Sequence, residues 1–506
     1  MAQIWRSSLR VGLGDMTQST RVALTISAAK ARASKHGRVR AIVLVGVHLI
    51  VAIHIAHWMM AKRTLAPMEL NESMYTLEQG AITVGGILMA LILLSVLLFG
   101  RFFCAWGCHV LALQDGAAWL LERIGIRPRP IRSRLAPFIA IAAALSMFVW
   151  PQIERWQVGR EWLGLRVTTD SEGFGSLVTE NFLRNLPGPI TTTATFIVCG
   201  GVLVWILGSR SFCRVICPYG ALFSAADRLS IGAIRLTGDC DSCGLCTATC
   251  TSHIRVHEET ARHGRVVSPN CLKDLDCIKV CPRNALSWGW GAPSLLRSLG
   301  ESRFTPNPWT WGEDVLLLVV AAFCTITFRS LYGEVPFFLA LGLALIVAWI
   351  VVMTVRMRTS PDLRISRIQL QRSGRTTRAG AVWLTATIGL LLFVGHCGWI
   401  RLHEQLGRNA WAQCAADPTA AASSGAAQRG ADQFEAVLRF GIWHPAYVHR
   451  MLCDIYVWSG RADLARPHAI AMTEIWPESV ERRAQLEEVL RMAQVLETKA
   501  KKLGPS

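Results

Sequence analysis

The chain has 506 residues, 52% of them hydrophobic and only 17% charged, with a mean hydropathy of +0.34. That is too apolar for an ordinary soluble protein and points to the membrane class. A formal net charge of +18 would suggest nucleic acid in a soluble chain, but here Lys and Arg gather beside apolar runs, as in cytoplasmic loops, so no nucleic-acid partner is expected.

Residues 1–40 are polar and basic and lack a signal-peptidase pattern, so the first apolar run is expected to act as an uncleaved anchor. Seven runs approach the roughly 20 apolar residues that a bilayer requires: 41–60, 80–100, 135–151, 189–207, 315–329, 335–355 and 380–399. Their flanks alternate in charge. Residues 1–40 hold eight Lys/Arg against one acid, 61–79 two against three, 101–134 six against two, 152–188 four against five, and 356–379 seven against one. Basic flanks stay inside, so the expected topology has a cytoplasmic N-terminus and an external C-terminus. The resulting plan is a basic cytoplasmic N-terminus (1–40), four membrane helices (41–207), a cytoplasmic cysteine-rich segment (208–313), three more helices (314–399) and an external helical tail (400–506).

Histidines fall in the first and last spans. Ionisable groups within a membrane are candidate functional groups. His54, His57 and His396 lie toward the outer side by this topology, where they would bind a quinol head group or ligate haem. The alternative is hydrogen-bonded helix packing, which also covers His48. No CxxCH occurs, which argues against attached c-type haem.

A cysteine motif appears twice. Arg101-Phe102-Phe103-Cys104-x3-Cys108 follows the second span, and Arg210-Ser211-Phe212-Cys213-x3-Cys217-Pro218 follows the fourth. The duplication suggests two related halves. Cysteines four apart are expected on one helical face, and two such pairs would offer four thiols to a metal, a cluster or a dithiol relay, copper included. The bland reading is packing at helix ends. Cys199 and Cys324, alone in apolar spans, are expected to be packing residues.

The strongest signal is Cys240-x2-Cys243-x2-Cys246-x3-Cys250 followed by Cys271-x2-Asp274-x2-Cys277-x3-Cys281-Pro282. This is the spacing of a bacterial two-cluster ferredoxin with one substitution, in which the fourth cysteine of each run ligates the other cluster. Cluster one would take Cys240, Cys243, Cys246 and Cys281. Cluster two would take Cys250, Cys271, Cys277 and Asp274, which stands where a cysteine belongs. Direct ligation by Asp274, a three-iron cluster, a labile fourth iron and a merely solvated aspartate are the open alternatives. A structural zinc site needs only four ligands and would not repeat this spacing. Trp288 and Trp290, just after the module, are expected at a membrane interface.

In the tail, Ala420 to Gly430 looks like a loop or linker. Leu452, Tyr456, Gly460, Ala465 and Pro477, between Ala446 and Glu478, stand at the offsets of a tetratricopeptide-like helix–turn–helix, with Cys453 where a small residue is usual. A plain helical hairpin is the alternative. Cys397, Cys414 and Cys453 fall on the oxidising side, where a Cys414–Cys453 disulfide is one pairing open to them.

The cysteine repeats and module together resemble the membrane polyferredoxins that include the NapH, NosR and CcoG families, over roughly residues 40–290. No NosR-like flavin domain is visible. The resemblance implies a mainly α polytopic membrane protein with a small α+β two-cluster ferredoxin module. It also implies an inner-membrane electron carrier, rather than a stand-alone enzyme, working between a donor such as quinol and a redox partner docked by the tail. The alternatives are a copper-reducing assembly factor, as the CcoG likeness implies, or a redox sensor.

Overall fold

The structure is a computed structural model that describes residues 18–475, apart from 127–132, 169–176, 184, 298–308, 367 and 419–424, together with Glu487 and Arg491. Among these residues, six helices hold a stretch long and apolar enough to cross a membrane. They are α1 (Gln18–Ala61), whose apolar part is His36–Ala61, α6 (Ala136–Gln157), α7 (Pro189–Leu207), α12 (Trp311–Phe328), α13 (Phe337–Thr359) and α14 (Arg378–Ala416). The expected run at 80–100 is α3 (Val84–Phe99), apolar but only 16 residues long. At 1.5 Å per residue it spans about 24 Å, short of a hydrocarbon core of about 30 Å. Every expected apolar run is thus helical.

The ends differ from expectation where local chemistry decides them. The third helix continues through Pro151 to Gln157 because a π-helical turn at Leu145–Val149 precedes the proline. Pro151 cannot donate to the helix ladder, and a widened turn is a usual way to absorb that loss. The last helix does not stop at 399 but runs on to Ala416.

The chain divides into two compact units, Met1–Leu318 and Val319–Ser506, with the division inside α12. In the first unit, α2 (Ser73–Gln79) leads into α3, which opens on Thr83, whose hydroxyl accepts from Gly86 N at 2.9 Å. Two short strands, β1 (Thr64–Leu65) and β2 (Val178–Thr179), pair antiparallel. The duplicated motifs follow the same path. Helices α3 and α7 both end at a left-handed glycine, Gly100 (φ 84°) and Gly208 (φ 95°). A short turn carrying the first cysteine comes next: α4 (Phe102–Trp106) in one repeat, a π turn (Phe212–Ile216) in the other. A longer helix then begins right after the second cysteine, α5 (His109–Arg123) after Cys108 and α8 (Pro218–Asp227) after Cys217. The cysteines of each pair therefore do not share one helix face, as their spacing had suggested. The chain turns between them.

The cysteine-rich segment is closed by β3 (Gly232–Leu236) and β4 (Leu286–Trp290), antiparallel with Gly232 opposite Trp290. Three short helices lie between them: α9 (Leu245–Thr249), α10 (Val256–His263) and α11 (Asp276–Lys279). Its core contains Ile234, Ile254, Val256, Val266 and Leu286 beside Cys246, Cys271 and Cys277. This segment is seated on the end of α3. Ile231 N donates to Leu97 O at 3.2 Å. Trp288 packs against Phe99, Phe102 and Trp290.

In the second unit, a three-stranded meander of β5 (Leu363–Ile365), β6 (Ile368–Arg372) and β7 (Arg375–Thr376) joins α13 to α14. Helices α15 (Ala426–Phe440), α16 (Ala446–Trp458) and α17 (Ala462–Ile475) complete it. One hydrophobic core runs from Cys324 and Phe328 through Val394 and Cys397 to Phe434, Leu452 and Ala465. The Ala/Gly-rich run expected as a linker is helical and buried from Ala426 onward, because small residues allow close approach: a Cβ on Gly430 would stand 2.8 Å from Ile455. Residues 419–424 lie outside the described residues. Cys414 and Cys453 are both buried free thiols, not a disulfide; Cys453 Sγ instead faces Ala465 O at 3.6 Å. Helices α16 and α17 form a hairpin about Gly460 (φ 73°), while Pro477 and Glu478 lie outside the described residues. Glu404 is fully buried and accepts from Tyr332 N (2.9 Å), the Tyr447 hydroxyl and Arg401 (3.2 Å).

Candidate functional site

The four cysteines expected for cluster one line a single cavity. Cys240 and Cys243 come from the loop entering α9, Cys246 lies in its first turn, and Cys281 follows α11; Gly244, His257 and Leu286 are among the other lining residues. Gly244 is left-handed (φ 71°), which turns the loop back on itself. Backbone N–H groups point at the sulfurs, Ser242 N at Cys240 (3.4 Å) and Ala285 N at Cys281 (3.3 Å). Cys240 and Cys243 are exposed, whereas Cys246 and Cys281 are buried.

Cys250, Cys271, Asp274 and Cys277 form the second group, with every pair within electrostatic reach. Cys277 also reaches Cys246, so the two groups are neighbours. Burial, then the Asp274 carboxylate, pushes the Cys250 thiol up to about 12. Buried sulfurs of this kind keep their protons unless a cationic centre replaces them, which fits a metal-cluster donor set.

Asp274 is tightly held. Its Oδ2 accepts from Arg210 Nη1 (2.6 Å) and the Thr251 hydroxyl (3.1 Å), and its Oδ1 accepts from Asp276 N (3.3 Å). Burial pushes its carboxyl up, but Arg210 and Arg40 outweigh that and hold it below the usual carboxylate range.

Arg210 belongs to the second membrane repeat, and the first repeat supplies a matching contact. Arg101 Nη1 donates to Pro269 O (2.8 Å) and to the Ser224 hydroxyl (2.7 Å). Each repeat's arginine thus grips the loop that carries Cys271 and Asp274. Both are buried, Arg101 at 2% and Arg210 at 0% exposure. Lys273 adds a third hold, pairing with Asp227 at the end of α8 at 3.1 Å, and Trp106 Nε1 donates to Lys273 O at 3.3 Å. Arg40 on α1 bridges Asp276 (3.0 Å) and Asp115 (2.9 Å). The sequence marked the arginines only as letters of a motif and passed over Lys273, Asp276 and Asp227. The available signal was a charged residue placed directly after an apolar span, where burial requires a partner.

Cys104, Cys108, Cys213 and Cys217 also converge, with all six pairs within electrostatic reach. Among the described residues, no three His, Cys, Asp or Glu side chains stand close enough to hold a single metal ion. That holds for the ferredoxin groups too. His54 Nε2 and His57 Nδ1 meet at one hydroxyl, Thr64 Oγ1, at 3.1 and 3.0 Å, and Phe182 lies edge-on to His54. His396 belongs to the second unit; its Nε2 is buried and has no hydrogen-bond partner among the described residues.

Comparison with known proteins gives two matches to one family, described as a 4Fe-4S binding domain, over residues 81–127 and 190–236. These cover the duplicated motifs; neither reaches Cys240. The chain is similar to the methylamine utilization ferredoxin-type protein MauN of Methylorubrum extorquens, 29% identical over 35% of this chain and 58% of the relative. It is similar to protein NirI of Paracoccus denitrificans (28% identical, 33% of this chain, 23% of the relative) and to the ferredoxin-type protein NapH of Haemophilus influenzae (24%, 38% and 63%). The chain thus spans less than two thirds of each of these relatives. No solved structure matches. The apolar helices mark a membrane protein, and with the 4Fe-4S binding domain present twice the chain is similar to the NapH-like ferredoxin-type proteins.

Proposed function

We propose that this chain is an inner-membrane electron carrier in which electrons pass between a membrane donor, quinol, and a partner redox protein through iron–sulfur clusters. One observation carries the reading. The second cysteine group lies between the membrane repeats, whose arginines grip its loop, and the first group, which it meets through Cys277 and Cys246. Electron transfer needs such a succession of closely spaced centres, each shielded from water except at its ends. Cys240 and Cys243, the exposed sulfurs, form the outer end.

In this reading Cys240, Cys243, Cys246 and Cys281 hold one [4Fe–4S] cluster. Cys250, Cys271 and Cys277 hold the other, with Asp274 in the fourth position and its free orientation fixed by Arg210. When bound, the clusters supply one-electron redox chemistry; the chain supplies burial, N–H donors to sulfur and nearby cations that favour the reduced form. The N-terminus lies inside, as do the cysteine groups, and the tail lies outside, in line with the alternating flank charges. His54, His57 and His396 fall toward the outer side, where a quinol would release protons. The α16–α17 hairpin serves as a tetratricopeptide-like docking surface for the external partner.

The test is anaerobic purification of the full chain, with EPR after dithionite or quinol reduction. Two interacting reduced clusters are expected, one lost in Cys246→Ser and the other in Cys277→Ser. Loss of neither signal in these variants, or bound copper in place of iron, would sink the proposal.

A further inference from the structure

The tail gathers its exposed apolar side chains in one turn. Among the described residues beyond α14, four large hydrophobic side chains are exposed, Phe440 (52%), Ile442 (69%), Trp443 (58%) and Ile470 (40%), and the first three lie together between the end of α15 and the start of α16. Both helices bury other large residues, among them Phe434, Val437, Val448 and Leu452. A contiguous exposed apolar patch of this kind marks an interaction surface.

That turn sits where the membrane helices end. The apolar stretch of α14 begins after Arg378. At 1.5 Å per residue, about 20 residues cross a hydrocarbon core of about 30 Å, which brings Trp399 to the far boundary. Phe440 packs edge-on against Trp399, with ring centroids 5.3 Å apart. The α12–α13 connection is fastened to the same turn, since Ile442 N donates to the Tyr332 hydroxyl at 2.9 Å. Glycines permit this approach: a Cβ on Gly441 would stand 3.3 Å from the Tyr332 ring, and one on Gly333 2.9 Å from the ring of Tyr447 at the start of α16. The turn is thus held at the level of three span ends.

We propose that Phe440, Ile442 and Trp443 enter the bilayer interface beside α14 and anchor the tail to the lipid surface. Two observations favour lipid over a protein partner. The first is continuity. Ile388, Leu392, Trp399, Leu402 and Leu406 recur at helical spacing on one face of α14, and all five are exposed. This stripe runs from the span to Phe440 and past it, so the apolar surface of the turn extends a surface that lipid already covers. The second is the placement of charge. Arg439 lies over the Phe440 ring at 5.2 Å, and Arg329, just after α12, over the Phe337 ring at the start of α13 at 5.4 Å. Arginines stacked on aromatic rings at a span end put their cationic heads at the height of the lipid phosphates, and a tryptophan beside them completes the chemistry of a membrane–water interface. The inference rests on the membrane reading of the helices and is independent of the clusters.

For the test, benzoylphenylalanine, which inserts into nearby C–H bonds when illuminated, replaces Trp443 in the full chain. In two further chains it replaces Leu392, 71% exposed within the span, or Asp463, exposed at the start of α17. Asp463 is the distant control: it follows Trp458, which meets Trp411 about 18 Å beyond Trp399 along α14. Each chain is placed in nanodiscs of phosphatidylethanolamine and phosphatidylglycerol, irradiated and mapped by mass spectrometry. Burial of three large apolar side chains favours the inserted turn by more than about tenfold. Acyl-chain adducts at Trp443 are therefore expected at the level of Leu392 and about tenfold above Asp463. Adducts no more frequent than at Asp463 overturn the proposal. So do cross-links from Trp443 to a second copy of the chain in place of lipid, which would assign the turn to a protein contact. If the Trp443 chain does not accumulate, Ile442 carries the probe, with the same outcomes deciding. Failure of the membrane reading is separate, because Leu392 would then give no lipid adduct.

Discussion

One of the holds on the loop that carries Cys271 is a buried ion pair, Lys273 with Asp227, and that pair can be weighed. Lys273 is 1% exposed and Asp227 4%, with Nζ and Oδ2 3.1 Å apart. Asp227 Oδ1 has no hydrogen-bond partner among the described residues. Lys273→Met would therefore leave a buried carboxylate with its main neutralising partner gone. Breaking a buried pair in this way costs about 3–5 kcal/mol, which is roughly a hundred- to several-thousand-fold in the equilibrium for opening the loop. The double variant Lys273→Met/Asp227→Leu removes both charges and is expected to recover most of that loss, since replacing a whole buried pair by apolar groups is close to neutral. Hydrogen exchange of the 271–278 amides in the detergent-solubilised chain reads the opening equilibrium directly. If the single variant accelerates exchange less than about fivefold, or the double variant is as open as the sum of the singles, the pair does not lock the loop.

Other outcomes follow from neighbouring features. A Cβ on Gly232 would lie 2.7 Å from Leu98 O and 2.9 Å from the Phe99 backbone, so Gly232→Ala is expected to lift β3 from the end of α3 at a cost of about 1–3 kcal/mol; an unchanged denaturation midpoint would contradict that seating. Asp274→Cys should move the potential of the second cluster and leave the first in place; no shift in redox titration would place Asp274 away from iron. Burial, then His468 and His444, hold the His449 imidazole down to about 4. The unfolded chain takes up that proton near 6.5 and the folded chain does not. Stability of the α16–α17 hairpin is therefore complete above about pH 6.5 and declines as pH falls toward 4. His449→Leu is expected to flatten that acid limb, measured by hydrogen exchange of the hairpin at pH 5 and pH 7.

Much of this was legible in the sequence where one local rule dominates. Apolar runs gave the helices because a bilayer demands about 20 such residues, and the CxxC spacing picked out cysteines that the fold gathers into two neighbouring groups. What stayed hidden depends on partners distant in sequence. The Ala426–Gly430 run looked like a linker because small residues signal loops, but in three dimensions they allow Ile455 to approach. The CxxxC pairs looked like helix faces because the turn between Cys104 and Cys108 is set by surrounding packing, not by their spacing. Arg101 and Arg210 were visible as letters; their targets, Pro269 and Asp274, lie 168 and 64 residues away.

Those two arginines also constrain how the protein is made. Cys271 lies on the loop that Arg101, Arg210 and Lys273 fasten, close to Cys250 and Cys277, and Cys271 and Cys277 are 6% and 4% exposed. A carrier delivering iron and sulfide cannot reach them once the loop is fastened. On the proposed assignment, loading of an inner cluster would come before, or together with, the seating of this segment against the membrane helices. The finished protein would exchange that cluster only by opening the same latch, whereas an outer cluster at Cys240 and Cys243, both exposed, would stay open to repair.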